Sequence, residues 1–461
     1  MRPAVAAGHP ATMAAGVEIL EAGGTAADAA VAAALASCVA ETVMTGLLGG
    51  GHAIYFDAAR GRARNLDCFV AVPGLGLERR PADMVELEVP FGEELVHYAV
   101  GVASCGVPGL PAGLEALWRE HGRLPWRDVC RPALELARRG TVFPAAHAAC
   151  LRMLAPVMTM NEGARIYAPA GDLLEAGDVL EQPGLVRAIE LVADEGGRSA
   201  YRGSLAEALL ELVDAQGGLV TETDLRTYEP AWSEPLGCQY LYWPVLTRRG
   251  ISGVPGAFAQ LRGMQGRDEA ERALAIVYAL AKYGPRRDGH TTNLTVVDAR
   301  GNACVFTTSL GLGSGDFLPG LDLHLNSMLG EKDLLVGELE PGRRMESMMA
   351  PLLAFGRERL ALAAGAAGGT RLRSALVQVV SGILDDRLDP EDAVERPRLH
   401  PAGGLVHLEP GFSDEAKEAL EGAGWRVAQW PEQHHYFGGV SVVAEEGAAG
   451  DPRRSGAARV L

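Results

Sequence analysis

The chain is short of the features that assign a protein quickly. It has no excess of positive charge: over 461 residues the formal balance is −17. Nucleic acid and anionic membranes are therefore poor partners, because a phosphate surface is repelled over most approaches. Its seven cysteines (Cys38, Cys68, Cys105, Cys130, Cys150, Cys238 and Cys304) contain no Cys-x-x-Cys pair, so buried reduced thiols are expected rather than a disulfide framework. His52 and the pair His434-His435 lack a third ligand at metal spacing, and neither metal nor cofactor is expected. No apolar run reaches membrane-spanning length, since even the alanine-rich stretch 26–40 is interrupted by Asp28. The first residues hold no apolar region of signal-peptide length, which makes the cytoplasm the expected location. Gly49-Gly50-Gly51 precedes a strand instead of joining strand to helix, which excludes a dinucleotide fingerprint. Gly250-Ile251-Ser252-Gly253 misses a nucleophile elbow by one residue, because position 254 is valine.

What is present is a core, with 48% hydrophobic residues, and a readable order of elements. Apolar spacing predicts a helix over 11–22 that stops at Gly23-Gly24. A second helix runs to Ala40, with Thr25 and Asp28 as a capping box. Two helices follow between 107 and 140, three between 182 and 228, and one over 269–282. Strands are expected at 53–56, after the turn Arg60-Gly61, and at 240–246. The clearest pattern is a hairpin, 292–298 and 303–309, turned by Ala299-Arg300-Gly301-Asn302. Beyond it come a strand at 360–364, a turn at 365–370, a helix over 372–384, strands at 405–408, 425–430 and 439–444, and a helix over 413–421. Helices lead and strands follow, an order that fits a sandwich of sheets covered by helices better than a parallel doubly wound sheet.

Several short pieces then fall into a collinear set: Ala11-Thr12 through Asp28-Ala29-Ala30-Val31, Met44-Thr45-Gly46, Val107-Pro108-Gly109, Gly122-Arg123-Leu124-Pro125-Trp126, Tyr201-Arg202-Gly203, Thr291-Thr292, Ser347-Met348-Met349-Ala350-Pro351, Gly368-Gly369 and Asp451-Pro452-Arg453. Together they resemble the γ-glutamyltranspeptidase family of N-terminal-nucleophile (Ntn) hydrolases. The resemblance implies an α+β fold, a four-layer αββα Ntn-hydrolase sandwich. It implies a precursor that cuts itself between His290 and Thr291, giving a large-subunit portion 1–290 and a small-subunit portion 291–461 that remain one structural unit. Thr291 would be the nucleophile and, through its new α-amine, its own base. That choice is physically sensible, because an α-amine with a pKa of about 7.7–8.0 is partly neutral at physiological pH and sits on the same residue. Ser309 matches the family threonine that hydrogen-bonds the nucleophile, provided the hairpin register brings the two together. Gly368 and Gly369 match the oxyanion hole, and Ser347, Met348 and Phe69 fall at the substrate site. The implied reaction is cleavage of a γ-glutamyl amide through an acyl-threonine, with transfer to water or an amino acceptor. Both partners are small molecules, and a further homo-oligomer is left open. Two alternatives are carried: a related acylase for a non-glutamyl acyl group, and an unprocessed member without activity.

Departures from the family pattern bear on the substrate. Asn293 stands where the family usually has histidine, and Phe69 where an arginine grips the substrate α-carboxylate. Gly311 replaces an asparagine and Gly330 an aspartate that holds the α-amine. Only Ser347 remains of a serine pair, with Met348 beside it. Arg343 and Arg344 are the candidate replacements for the carboxylate anchor, with Asp67 and Glu346 further candidates nearby. A pocket walled by Phe69 and Met348 is expected to favour a more apolar acyl group.

Overall fold

The structure is a computed structural model that describes residues 1–91, 94–281, 291–357 and 359–461. Its centre is a face-to-face pair of antiparallel sheets. The first has seven strands in the order Ala457–Val460, Ala4–Ala7, Thr292–Val297, Ala303–Ser309, Gly50–Asp57, Arg62–Cys68 and Ala231–Ser233. The second has six, in the order Ala448–Gly450, Gly439–Ala444, Arg359–Ala367, Leu352–Gly356, Trp243–Thr247 and Leu236–Tyr240. Side chains alternate across each strand, so the inner faces meet in one apolar layer that includes Ile54, Val297, Val305, Leu353, Ala363 and Val443. Helices cover both outer faces. Pro10–Glu21, Ala26–Ala40, Leu110–His121, Trp126–Arg139 and Pro183–Glu195 pack over the first sheet; Glu269–Ala281, Arg371–Leu384 and Asp414–Gly422 pack over the second. This is the four-layer αββα sandwich.

The helix Ala26–Ala40 is buried along its whole length. Its mostly alanine side chains allow that, because it lies directly against both hairpin strands and against the helices Pro10–Glu21, Leu110–His121 and Trp126–Arg139. Its start is fixed by the expected capping box, in which the Thr25 side chain accepts from Asp28 N and Asp28 accepts from Thr25 N. Asp28 also accepts from the Arg123 N–H at 2.9 Å, which ties the helix to the loop 122–125. Asp298 works similarly at the hairpin turn: one carboxylate oxygen accepts from the N–H groups of Arg300 and Asn302, and the other from Ala26 N.

Most expected elements are present within a residue or two, and the helix Ala145–Met158 is an addition that the sequence pattern did not signal. The stretch 240–246 is two strands, Leu236–Tyr240 and Trp243–Thr247, reversed at Leu241 with φ +50°. The expected turn at 365–370 begins later, because the strand Arg359–Ala367 runs through Gly365. Glycine there lets the second sheet close on the first, since a Cβ would meet Asn293 Oδ1 at 2.0 Å. Ala4–Ala7 and Ala457–Val460 are strands without β-branched runs to announce them. The segments Val85–Phe91 and Glu94–Val100 form a further hairpin that the sequence pattern did not signal. His290 and Lys282 lie outside the described residues.

Candidate active site

The hairpin register answers the question that sequence left open. Thr292 pairs with Thr308, and Asn293 with Thr307; one further step sets Thr291 opposite Ser309. Even-numbered residues of the first hairpin strand face the helices, with Leu294 and Val296 in that core. Odd-numbered ones face the second sheet, where Thr295 Oγ1 donates to Ser441 O at 2.8 Å. Thr291 and Ser309 therefore stand together at the mouth of the sandwich on its inner side.

Both line one narrow cavity with Phe69, Ser347, Met348 and Gly369. Residues from five separated stretches of the chain thus converge there. Its remaining wall is Met349, which belongs to the motif 347–351, together with Met328, Glu331, Leu334 and Leu372, which sequence reasoning missed because no motif marks them. Gly368 lies just outside. It packs against Gly438, whose Cα a Cβ at 368 would approach to 2.8 Å. Gly368 and Gly369 have φ of +124° and +57°, backbone that favours glycine. Their carbonyls accept from Arg371 N and Leu372 N at the start of the helix Arg371–Leu384, and no described residue accepts from either glycine N–H. Two N–H donors preceding the positive end of a helix suit a developing oxyanion.

The arginines do not line this cavity. Arg343 is exposed. Arg344 is engaged: its Nε lies 3.3 Å from Asp67 Oδ1, its guanidinium donates to the carbonyls of Phe69 at 3.0 Å and Glu229 at 2.6 Å, and it covers the Tyr228 ring at 4.3 Å. Arg248, which no sequence signal singled out, donates to Ser347 O at 2.8 Å and braces the cavity wall from behind. His52 stacks on Phe69. Burial, reinforced by Arg248 and Arg344, holds its pKa well below the usual histidine range, so it is neutral. Glu346 is half-buried and outside the lining. The charges around Phe69 shape the wall instead of entering the cavity.

The glycine substitutions are explained by packing. A Cβ at Gly330 would overlap Ala99 O at 1.6 Å, and one at Gly311 would stand 2.6 Å from Glu331 Oε1. Asn293 accepts from Thr307 Oγ1 at 2.7 Å and so locks the hairpin on its inner face.

A family model described as Gamma-glutamyltranspeptidase matches residues 12–271 and 257–461. The chain belongs to that family. Among γ-glutamyltranspeptidase relatives, the acylase ACY 1 proenzyme of Pseudomonas sp. (strain V22) is 29% identical, over 96% of this chain and 90% of its own. The glutathione hydrolase proenzyme of Bacillus subtilis (strain 168) is 25% identical, over 98% of this chain and 90% of its own. Cephalosporin acylase from Bacillus halodurans superposes with a TM-score of 0.83 at 23% identity, covering 100% of this chain and 96% of that one, a likeness of fold. The protein is thus a γ-glutamyltranspeptidase-family enzyme.

Proposed function

We propose that the chain cuts itself before Thr291 and then cleaves amides through that residue. The observation that carries this reading is the cavity that Thr291 shares with Ser309, Gly369, Ser347 and Met348. After the cut, the α-amine takes the proton from Oγ1 as the oxygen attacks the amide carbonyl carbon. The carbonyl electron pair moves to oxygen, which the Gly368 and Gly369 N–H groups stabilise. Collapse breaks the C–N bond, and the leaving amine takes the proton back from the α-ammonium. Water or an acceptor amine then attacks the ester by the same route and releases Thr291.

γ-Glutamyl amides are the donor class that the family relation puts first. A second reading, a less polar acyl group, is favoured by the lining: Phe69, Met328, Leu334, Met348, Met349 and Leu372 surround the cavity beside the single acid Glu331, and among the described residues no cationic side chain lines it. Flexible thioethers let such a wall adapt to differing acyl chains. Each missing contact to a substrate charge is worth about 1.5–3 kcal/mol.

Intact mass of purified protein should give fragments of 290 and 461 − 290 = 171 residues. Full activity in an uncut chain sinks the mechanism. Turnover of γ-glutamyl, glutaryl and neutral acyl p-nitroanilides then separates the donors. The neutral compound leads if the apolar lining decides, and γ-glutamyl leads if the family's donor is kept.

A further inference from the structure

Directly behind Thr291 and Ser309, on the helical side of the sheet, one short turn holds both hairpin strands. The helix Ala26–Ala40 ends at Glu41, whose carbonyl accepts from Met44 N at 2.7 Å and Thr45 N at 3.0 Å and so closes the turn 41–45. From one end of this turn the buried Glu41 carboxyl accepts from Thr292 Oγ1, and also from Thr12 Oγ1 at 2.6 Å. From the other end Thr45 Oγ1 donates to Thr308 Oγ1 at 3.0 Å. Thr292 and Thr308 are the cross-strand pair next to Thr291 and Ser309. The opposite face of the strand head is tied separately, with Ser441 Oγ donating to Asn293 O at 3.0 Å. The packing leaves no slack, since a Cβ at Gly8 would come within 2.7 Å of both Glu41 Oε2 and Thr292 Oγ1.

We propose that the turn 41–45 is a clamp that sets Thr291 against Ser309, with Glu41 as a positioning residue acting through the Thr292 hydroxyl. The clamp serves the self-cleavage and acyl transfer proposed above and rests on that reading. A carboxyl at the C-terminal end of a helix, buried and facing the negative end of the dipole, is unfavourable for packing alone. Its place is instead explained by two hydroxyl donors that hold a strand head in register. Burial pushes the Glu41 carboxyl up to about 7, so it changes charge near neutrality and accepts more strongly once ionised. The other groups around it behave differently. Among the described residues Arg454 is the facing cation; Cys38, on the same helix, is pushed up to about 12; His9 is lowered to about 4 and His147 well below the usual range, both by burial; Asp451 is paired with Arg398 at 2.6 Å.

The test follows the first cut in pulse-labelled cell-free translation, read on denaturing gels, for wild type, Thr292→Val, Glu41→Gln and Glu41→Ala. Thr292→Val keeps the shape and removes the hydroxyl. Cutting should slow at least tenfold in Thr292→Val and Glu41→Ala. Glu41→Gln should keep most of the rate at pH 6 and lose the rise through pH 7 that wild type shows. In cut enzyme, kcat should fall in Thr292→Val with KM unchanged. Should Glu41→Ala fail to fold, the isosteric valine and glutamine variants still decide. Equal rates in wild type and Thr292→Val, even with a lowered Tm, overturn the clamp and leave the threonine mechanism standing. A wild-type chain that never cuts overturns both.

Discussion

At residue 291 the expected outcomes separate by side chain. Thr291→Ala should leave one chain of 461 residues on a denaturing gel, and Thr291→Ser, which keeps a hydroxyl, should still be cut. The thiols should matter to neither. All seven cysteines are free, and burial pushes the thiols up, to about 12 for Cys105 and Cys130 and about 11 for Cys150, so thiolate chemistry is suppressed near neutrality. An alkylating reagent should therefore leave turnover of folded enzyme intact. Glu41 gives a stability prediction. Its folded value of about 7 lies above the usual 4.5, so its contribution is fully present below about pH 4.5 and is lost as pH rises through 7. In the uncut Thr291→Ala background, Glu41→Gln should gain about 1–3 kcal/mol over its parent between pH 5 and pH 8 in urea unfolding. Ser347, Met348 and Gly369 were legible because each sits in a short collinear motif, and Ser309 and Phe69 because they fall where the family places a threonine and an arginine. Glu41 and Arg248 were not, because their meaning lies in partners far along the chain, although an acid ending an alanine-rich helix is a signal that could have been used.

At the scale of elements, legibility followed side-chain chemistry. The hairpin strands Thr292–Val297 and Ala303–Ser309 are rich in β-branched residues and were readable to within one residue. Ala4–Ala7 is a strand because it lies between two others, one of them Thr292–Val297, with Ala4 opposite Val297, and nothing in Ala-Val-Ala-Ala says so locally. The strand through Gly365 was read as a turn for the same reason: small residues are chosen there by the close approach of the other sheet. Gly365→Ala should test this, since its Cβ falls 2.0 Å from Asn293 Oδ1. Overpacking of this kind costs about 1–3 kcal/mol, and a Tm unchanged from wild type would refute the close contact. The segment 451–454 adds a second rigid element. Arg453 is bound by Glu409 and Asp451 in a fully buried group. Glu409→Ala should destabilise by about 3–5 kcal/mol by leaving that charge underpaired, measurable as a lowered urea midpoint.

Across the whole molecule, buried neutral histidines set the acid limit. Burial lowers His9 and His407 to about 4 and His324 to about 3. A lowered histidine contributes stability above the unfolded value of about 6.5 that is lost as pH falls toward the folded one. Three such groups outweigh the opposite trend of Glu41, so the Tm should fall steadily from pH 6.5 to pH 4, and a flat profile would contradict their burial. The order of strands in the first sheet has one more consequence. Thr292–Val297 and Ala303–Ser309 are hydrogen-bonded on their outer edges to Ala4–Ala7 and Gly50–Asp57, so in a chain cut before Thr291 each fragment is threaded through the other's sheet. Denaturation then changes the molecularity of the return path. The uncut chain recovers by a first-order process, independent of concentration, whereas the cut protein must find its complement by collision, without the effective concentration that covalent connection supplies. Dilution before renaturation should spare the Thr291→Ala chain and abolish recovery of the mature enzyme, which makes maturation, in kinetic terms, an irreversible commitment to a fold already reached.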